Sequence, residues 1–166
     1  MVSEMQEKNK KNLLNLRRGV IIMTVDTNTC PKEQLDAPQN RASRLRQWPC
    51  KIPFVPDSAP YFDGAELLIA ADCTAYAHGN FHFEFMKNAI TLIGCVALNS
   101  EVIRKKLAAI IANNDIKVIK LLRMEVSCCE RLEGLVREAV AESEKNLPVE
   151  ILVLSTDGKI LKGKIK

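Results

Sequence analysis

The apolar positions of this chain fall into short dense runs separated by amphipathic stretches of helical length. Leu67-Leu-Ile-Ala-Ala-Asp72-Cys73 sets five apolar residues ahead of an acid and a thiol. Ile90-Thr-Leu-Ile-Gly94 runs into Cys95, and Ile116–Leu122 leads a few residues later to Cys128-Cys129. Runs this short and this apolar read as strands buried on both faces, as in a parallel sheet, although periodicity alone does not separate them from a buried helical turn. Val149–Leu154 is a fourth such run. Between the runs, the stretch from Glu101 to Asn113 carries apolar residues at 103, 107, 110 and 111. Arg131–Glu144 places Leu132, Leu135, Val136, Ala139 and Val140 on one helical face. A shorter helix is predicted over Phe81–Lys87, capped by Asn80, and Asn99 or Ser100 caps the next helix. Thr156-Asp157-Gly158-Lys159 predicts a tight turn that returns the chain over Ile160–Ile165.

Alternating strands and helices imply right-handed crossovers and an α/β domain over residues 44–166. The expected architecture is an open, mainly parallel sheet of about four strands with flanking helices and a C-terminal hairpin arm. Residues 1–43 are expected to form a poorly ordered tail, in which Leu13, Leu14 and Leu16 make one helical turn at most and Met23 is an alternative start. Residues 26–45, rich in Asp, Asn, Pro, Gln and Arg, read as irregular chain around Cys30-Pro31. Trp48-Pro49 and Ile52-Pro-Phe-Val-Pro56 predict an extended segment, because each proline biases its predecessor away from helix. The same prolines keep it out of the sheet centre and place it at an edge or across a face, with Trp48 as a packing anchor. Asp57–Pro60 reads as a turn or helix start.

Composition narrows the function classes. With 166 residues and 47% apolar content, the chain can bury a core without staples. A formal charge of +4, spread largely over the two ends, and one Trp, two Tyr and five Phe give no basic stripe interleaved with aromatics, so nucleic acid is not expected as a partner. No apolar run approaches the ~20 residues of a membrane span. Val20–Val25 is too short, and lacks the cleavage site, for a signal peptide. A cytoplasmic setting is therefore expected, where six cysteines point to metal or redox chemistry more than to crosslinks. The plainer alternative is that the thiols simply pack, since free Cys is among the most buried residues.

In an open parallel sheet, the loops that leave the C-terminal ends of the strands lie along one edge, where ligands usually bind. That rule gathers Asp72, Cys73, His78, His82, Cys95, Cys128 and Cys129 on one rim. Thiolate and imidazole suit zinc or an iron–sulfur cluster, whereas calcium and magnesium want oxygen. The expected ligands are Cys73, Cys95 and Cys128, with His82 fourth. Cys129, at a helix start, competes with Cys128, because adjacent cysteines do not both point easily at one tetrahedral ion. No Cys-x-x-Cys occurs, so the site must be assembled from three loops. His78 and His82 share a face only in a continuous helix, which Gly79-Asn80 oppose. Glu125 reads as a ligand, a base or a solvated loop acid. No GxGxxG, P-loop or GxSxG is present, and no catalytic triad is apparent. Three function classes stay open: a metal- or cluster-binding redox protein, an interaction or regulatory module with a vestigial site, and a thiol oxidoreductase using Cys128-Cys129. No particular reaction is indicated.

Ser43-Arg-Leu-Arg-Gln-Trp-Pro49, Ala65-Glu-Leu-Leu-Ile-Ala-Ala-Asp-Cys-Thr-Ala-Tyr-Ala77, Phe81-His82, Ile93-Gly-Cys95 and Arg123-Met-Glu-Val-Ser-Cys-Cys129 occur in that order over about two-thirds of the chain. This set resembles the C-terminal domain of uncharacterised 4Fe-4S ferredoxin-type iron–sulfur proteins of anaerobic bacteria and archaea. The resemblance implies a cluster-associated redox protein with Cys73, His82, Cys95, Cys128 and Cys129 at the motif positions. A single helix between successive strands leaves a sheet edge or face free, so a homodimer or docking to a ferredoxin-type redox partner is expected. Three departures stand out. The ferredoxin module that usually precedes the domain has no counterpart in this sequence. The family's Cys-Pro-Lys is Cys95-Val-Ala97, and its Glu-Val-Pro-Cys-Cys is Glu125-Val-Ser-Cys-Cys129, with Glu130 next where glycine is usual. Lost Pro and Gly loosen two rim loops.

Overall fold

The structure, a computed structural model, describes residues 42–163. The expectations for residues 1–41 of the tail, including Cys30, and for the last residues of the hairpin arm lie outside those residues. Among the described residues there are five strands: β1 (Ala65–Ala71), β2 (Ala89–Gly94), β3 (Ile116–Met124), β4 (Val149–Leu154) and β5 (Ile160–Lys162). Two one-turn helices, α1 (Thr74–Ala77) and α2 (Phe81–Glu84), link β1 to β2. Two long helices, α3 (Val96–Asn113) and α4 (Ser127–Glu142), make the next two crossovers.

The strands order as β2-β1-β3-β4-β5, parallel except for the antiparallel β5. The predicted open parallel sheet is therefore found, with the hairpin arm as its fifth strand. Register aligns the strand ends: Ala71 pairs with Gly94, and Met124 with Leu154. Leu67 to Ala71 are all buried, as a strand covered on both faces should be. On one face, α3 and α4 pack against each other and α4 against β3. The core there includes Ile103, Leu107, Ile110, Leu132, Val136 and Ala139, the stripes predicted from spacing. The other face carries the shorter link, with Phe81 and Phe85 buried. Beyond them a groove of about 630 Å³ is lined by Glu66, Leu68, Phe83, Lys120 and Leu152, among others.

The Pro-rich segment lies along the free side of β2, in keeping with its prolines. Ile93 donates its N–H to the Cys50 carbonyl at 2.9 Å, Lys51 bridges to Ile93, and Ile52 and Val55 enter the core. Gly94 makes this approach possible, since a Cβ there would lie 2.9 Å from Ile52 Cδ1. Trp48 is a correction: it is 78% exposed and anchors nothing, because Ile52 and Val55 supply the burial and leave Trp48 outside.

Helix boundaries depart most from the local signals. The helix expected over Phe81–Lys87 stops at Glu84. Asn80 gives it no side-chain cap, and its amide donates instead to Glu84 Oε1 at 2.7 Å. The helix expected from Glu101 begins at Val96, broken at Asn99 (φ −163°, ψ 73°). Asn99 Oδ1 accepts the Val102 N–H at 3.4 Å, so it does cap the part downstream of the break. The helix expected from Arg131 begins at Ser127, which places both Cys128 and Cys129 in its first turn.

Candidate metal or cluster centre

Strand order reverses between β1 and β3: β2 lies to one side of β1, and the chain then crosses back to lay β3 on the other. At such a switch point the loops beyond the strands part and leave a crevice. A cavity of about 190 Å³ sits there, lined by the residues that end β1, β2 and β3. Asp72 and Cys73 come from the β1 end, Cys95 from the β2 end, and Cys128 and Cys129 from the β3–α4 corner. The aligned register is what brings these loops level. The four rim thiols expected from sequence thus share one cavity, and all are free.

They differ in access. Cys73 and Cys128 are exposed, Cys95 is half-buried, and Cys129 is buried. Burial pushes the Cys129 thiol up, and the nearby Cys128 and Cys73 sulfurs add to this, while a backbone hydrogen bond at Met124 opposes it. Asp72 Oδ2 receives an ion pair from Lys51 Nζ at 3.2 Å, whereas its Oδ1 is buried with no hydrogen-bond partner. The remaining walls are Ala71, Gly94, Val96, Met124, Val126 and Leu132, with Thr156 from the β4–β5 turn.

Among the described residues, no three His, Cys, Asp or Glu side chains are arranged to hold a single metal ion. His82 does not line the cavity: it is exposed, and its Nδ1 accepts the Arg44 N–H at 3.2 Å. The four-ligand set of Cys73, Cys95, Cys128 and His82 around one ion is therefore not assembled, because His82 leaves the rim with α2. His78 points elsewhere too. Its Nδ1 lies 2.7 Å from the Gly158 carbonyl and its Nε2 3.1 Å from Glu84 Oε2. Glu125 does not enter the cavity lining; it accepts the Thr156 N–H at 2.9 Å and ties down the turn. Lys51 and Thr156 are additions that no sequence signal marked. Lys51 arrives on the edge segment, and Thr156 only because β4 ends level with β3.

A sheet of this order with its crevice at the reversal defines a Rossmann-like α/β protein, here with an acid and a thiol where a nucleotide-binding member carries a glycine-rich turn. Residues 59–166 match the family described as Rossmann-like domain, and the chain belongs to that family. An uncharacterised protein of Archaeoglobus fulgidus is 31% identical over 117 residues, which span 70% of this chain and 82% of that protein. No solved structure matches the chain. No helix among the described residues is long and apolar enough to cross a membrane.

Proposed function

We propose that the cavity holds an iron–sulfur cluster, with Cys73, Cys95, Cys128 and Cys129 as its ligands, and that the protein takes part in electron transfer. The observation that carries this is that four thiols from three strand ends line one cavity without meeting at a point. Zinc wants four ligands about 2.0–2.3 Å from one centre. A cluster gives each iron its own thiolate, so its ligands surround a body rather than a point. The size is in keeping: about 190 Å³ is several waters' worth at ~30 Å³ each, yet below the ~300 Å³ at which small-molecule pockets begin. The resemblance to cluster-associated proteins favours iron over zinc. When bound, the cluster supplies one-electron chemistry. The chain's part is to surrender the thiol protons, to keep the apolar walls dry, and to balance Asp72 with Lys51.

A ferredoxin-type redox protein is the partner that fits, with a second copy of the chain as the other candidate. Tyr76 and Leu98, each three residues beyond a rim cysteine, are 94% and 80% exposed and give such a partner an apolar footing. Protein purified anaerobically, or reconstituted with ferrous iron and sulfide, should contain about four irons and four sulfides per chain. Zinc without sulfide would return the site to a single ion, and neither metal would leave an interaction module with a vestigial site. One observation favours a second reading: Cys128 and Cys129 are adjacent free thiols on the wall of one cavity. A thiol couple built on them would show a reversible two-electron change with no metal present.

A further inference from the structure

We propose that Lys51 is a positioning residue that sets the reduction potential of the thiol cavity, by answering the charge of Asp72 from outside it. The pair governs how readily the cluster proposed above takes up an electron, and so rests on that reading. Among the described residues that line the cavity, Asp72 and the thiols are the side chains able to carry charge, and no Lys, Arg or His is with them. Thiols bind iron as thiolates, so a loaded cavity gathers negative charge. Asp72 adds to it, with its side chain 25% exposed and its Oδ1 buried without a hydrogen-bond partner. A carboxylate so placed disfavours further negative charge beside it, and an incoming electron is further negative charge. Lys51 Nζ, 3.2 Å from Asp72 Oδ2, is the cation that offsets it.

The strand ends themselves deliver no cation to this place. Lys51 arrives on the edge segment, ahead of the Rossmann-like part of the chain, and that segment is fastened along its length. Gln47, which is buried, donates its side-chain amide to the Thr91 carbonyl of β2. The Cys50 carbonyl accepts the Ile93 N–H, and Ile52 seats against Gly94, where a Cβ would collide with it. At the far end Asp57 Oδ1 accepts from Lys106 Nζ of α3 at 2.5 Å. Lys51 stands between Cys50 and Ile52 and bridges to Ile93, two residues before Cys95. Its backbone is thus held to β2, and its side chain has a short reach to Asp72. The side chain is 48% exposed, so water and salt screen its charge and the shift in potential is modest.

The test titrates the reconstituted full chain against a one-electron dye of known potential, with iron and sulfide counted in every variant. At a fixed dye ratio, Lys51→Met should lower the ratio of reduced to oxidised protein about fivefold, or about 40 mV at ~59 mV per tenfold. Asp72→Asn should raise it by about the same factor. The two together should return to within about twofold of the natural value, since the pair is neutral either way. Lys51→Arg should keep the natural potential. A merely structural Lys51 would lower the iron content and leave the potential of the loaded protein where it was. Asp72→Asn leaves the edge segment in place and serves if Lys51→Met does not load. Single-variant shifts of the same sign, or no shift in either, overturn the assignment. Natural protein that takes up no iron and sulfide sinks the cluster and the pairing together, whereas loaded protein whose potential ignores both residues sinks the pairing alone.

Discussion

Two hollows on the same sheet differ in a way that size does not predict. The groove on the α2 side holds about 630 Å³ and the thiol cavity about 190 Å³. The groove's central charges answer each other, with Lys120 Nζ 2.5 Å from Glu66 Oε2. The cavity keeps an orphaned Asp72 oxygen among four free thiols. An unpaired buried polar atom is costly to maintain, whereas a paired surface ion pair is close to neutral. What separates the two is unspent chemistry at the switch point, and that is why the smaller hollow is read as the site.

The sharpest way to break the comparison is metal loading. Cys95→Ala should lower iron after anaerobic reconstitution by about tenfold or more, while Lys120→Met in the groove leaves it unchanged. Equal loss in both variants would end the distinction. Packing should separate the regions next. Leu132, a cavity wall 1% exposed, should cost about 2–5 kcal/mol as Leu132→Ala in urea denaturation. Val118→Ala in the half-buried groove lining should cost no more than about 1.5 kcal/mol.

Within the cavity, alkylation of the metal-free protein should take Cys73 and Cys128 first. Cys129 should lag by about tenfold or more, since burial both hides its sulfur and holds it protonated. Peptide mapping of a time course reads this order, and an early Cys129 would refute the burial. The smallest effect is on the turn beside the cavity. Lys159 and the Ser155 hydroxyl hold the Asp157 carboxyl down to about 2 from its ordinary 3.8. A depressed carboxylate stabilises above its ordinary value and loses that contribution as pH falls through its folded one. Amide exchange at the turn should therefore quicken between about pH 4 and pH 2, and Asp157→Asn should abolish the step.

Much of this was written locally. Leu67–Ala71 and Val149–Leu154 are apolar enough to read as buried strands without any knowledge of their neighbours, and Arg131–Val140 shows its buried face by spacing alone. Once the strands are parallel, chirality forces their ends to one rim, so topology alone gathers Cys73, Cys95, Cys128 and Cys129. Helix starts were less legible. Val96 and Ser127 open helices without a capping side chain, so nothing in the residues marks the place.

The fates of individual polar side chains belonged to the tertiary structure. Two histidines four residues apart look equivalent in sequence, but the break at Gly79-Asn80 sends His82 to solvent and His78 to Gly158, eighty residues away. Lys51 meets Asp72 because the edge segment runs beside β2, and Thr156 reaches the cavity because β4 ends level with β3. Hydrophobic patterning is a local statement repeated along the chain, and so it can be read from it. A hydrogen bond or ion pair depends on where two distant pieces of backbone come to rest, to within a fraction of an ångström, and only the packed molecule decides that.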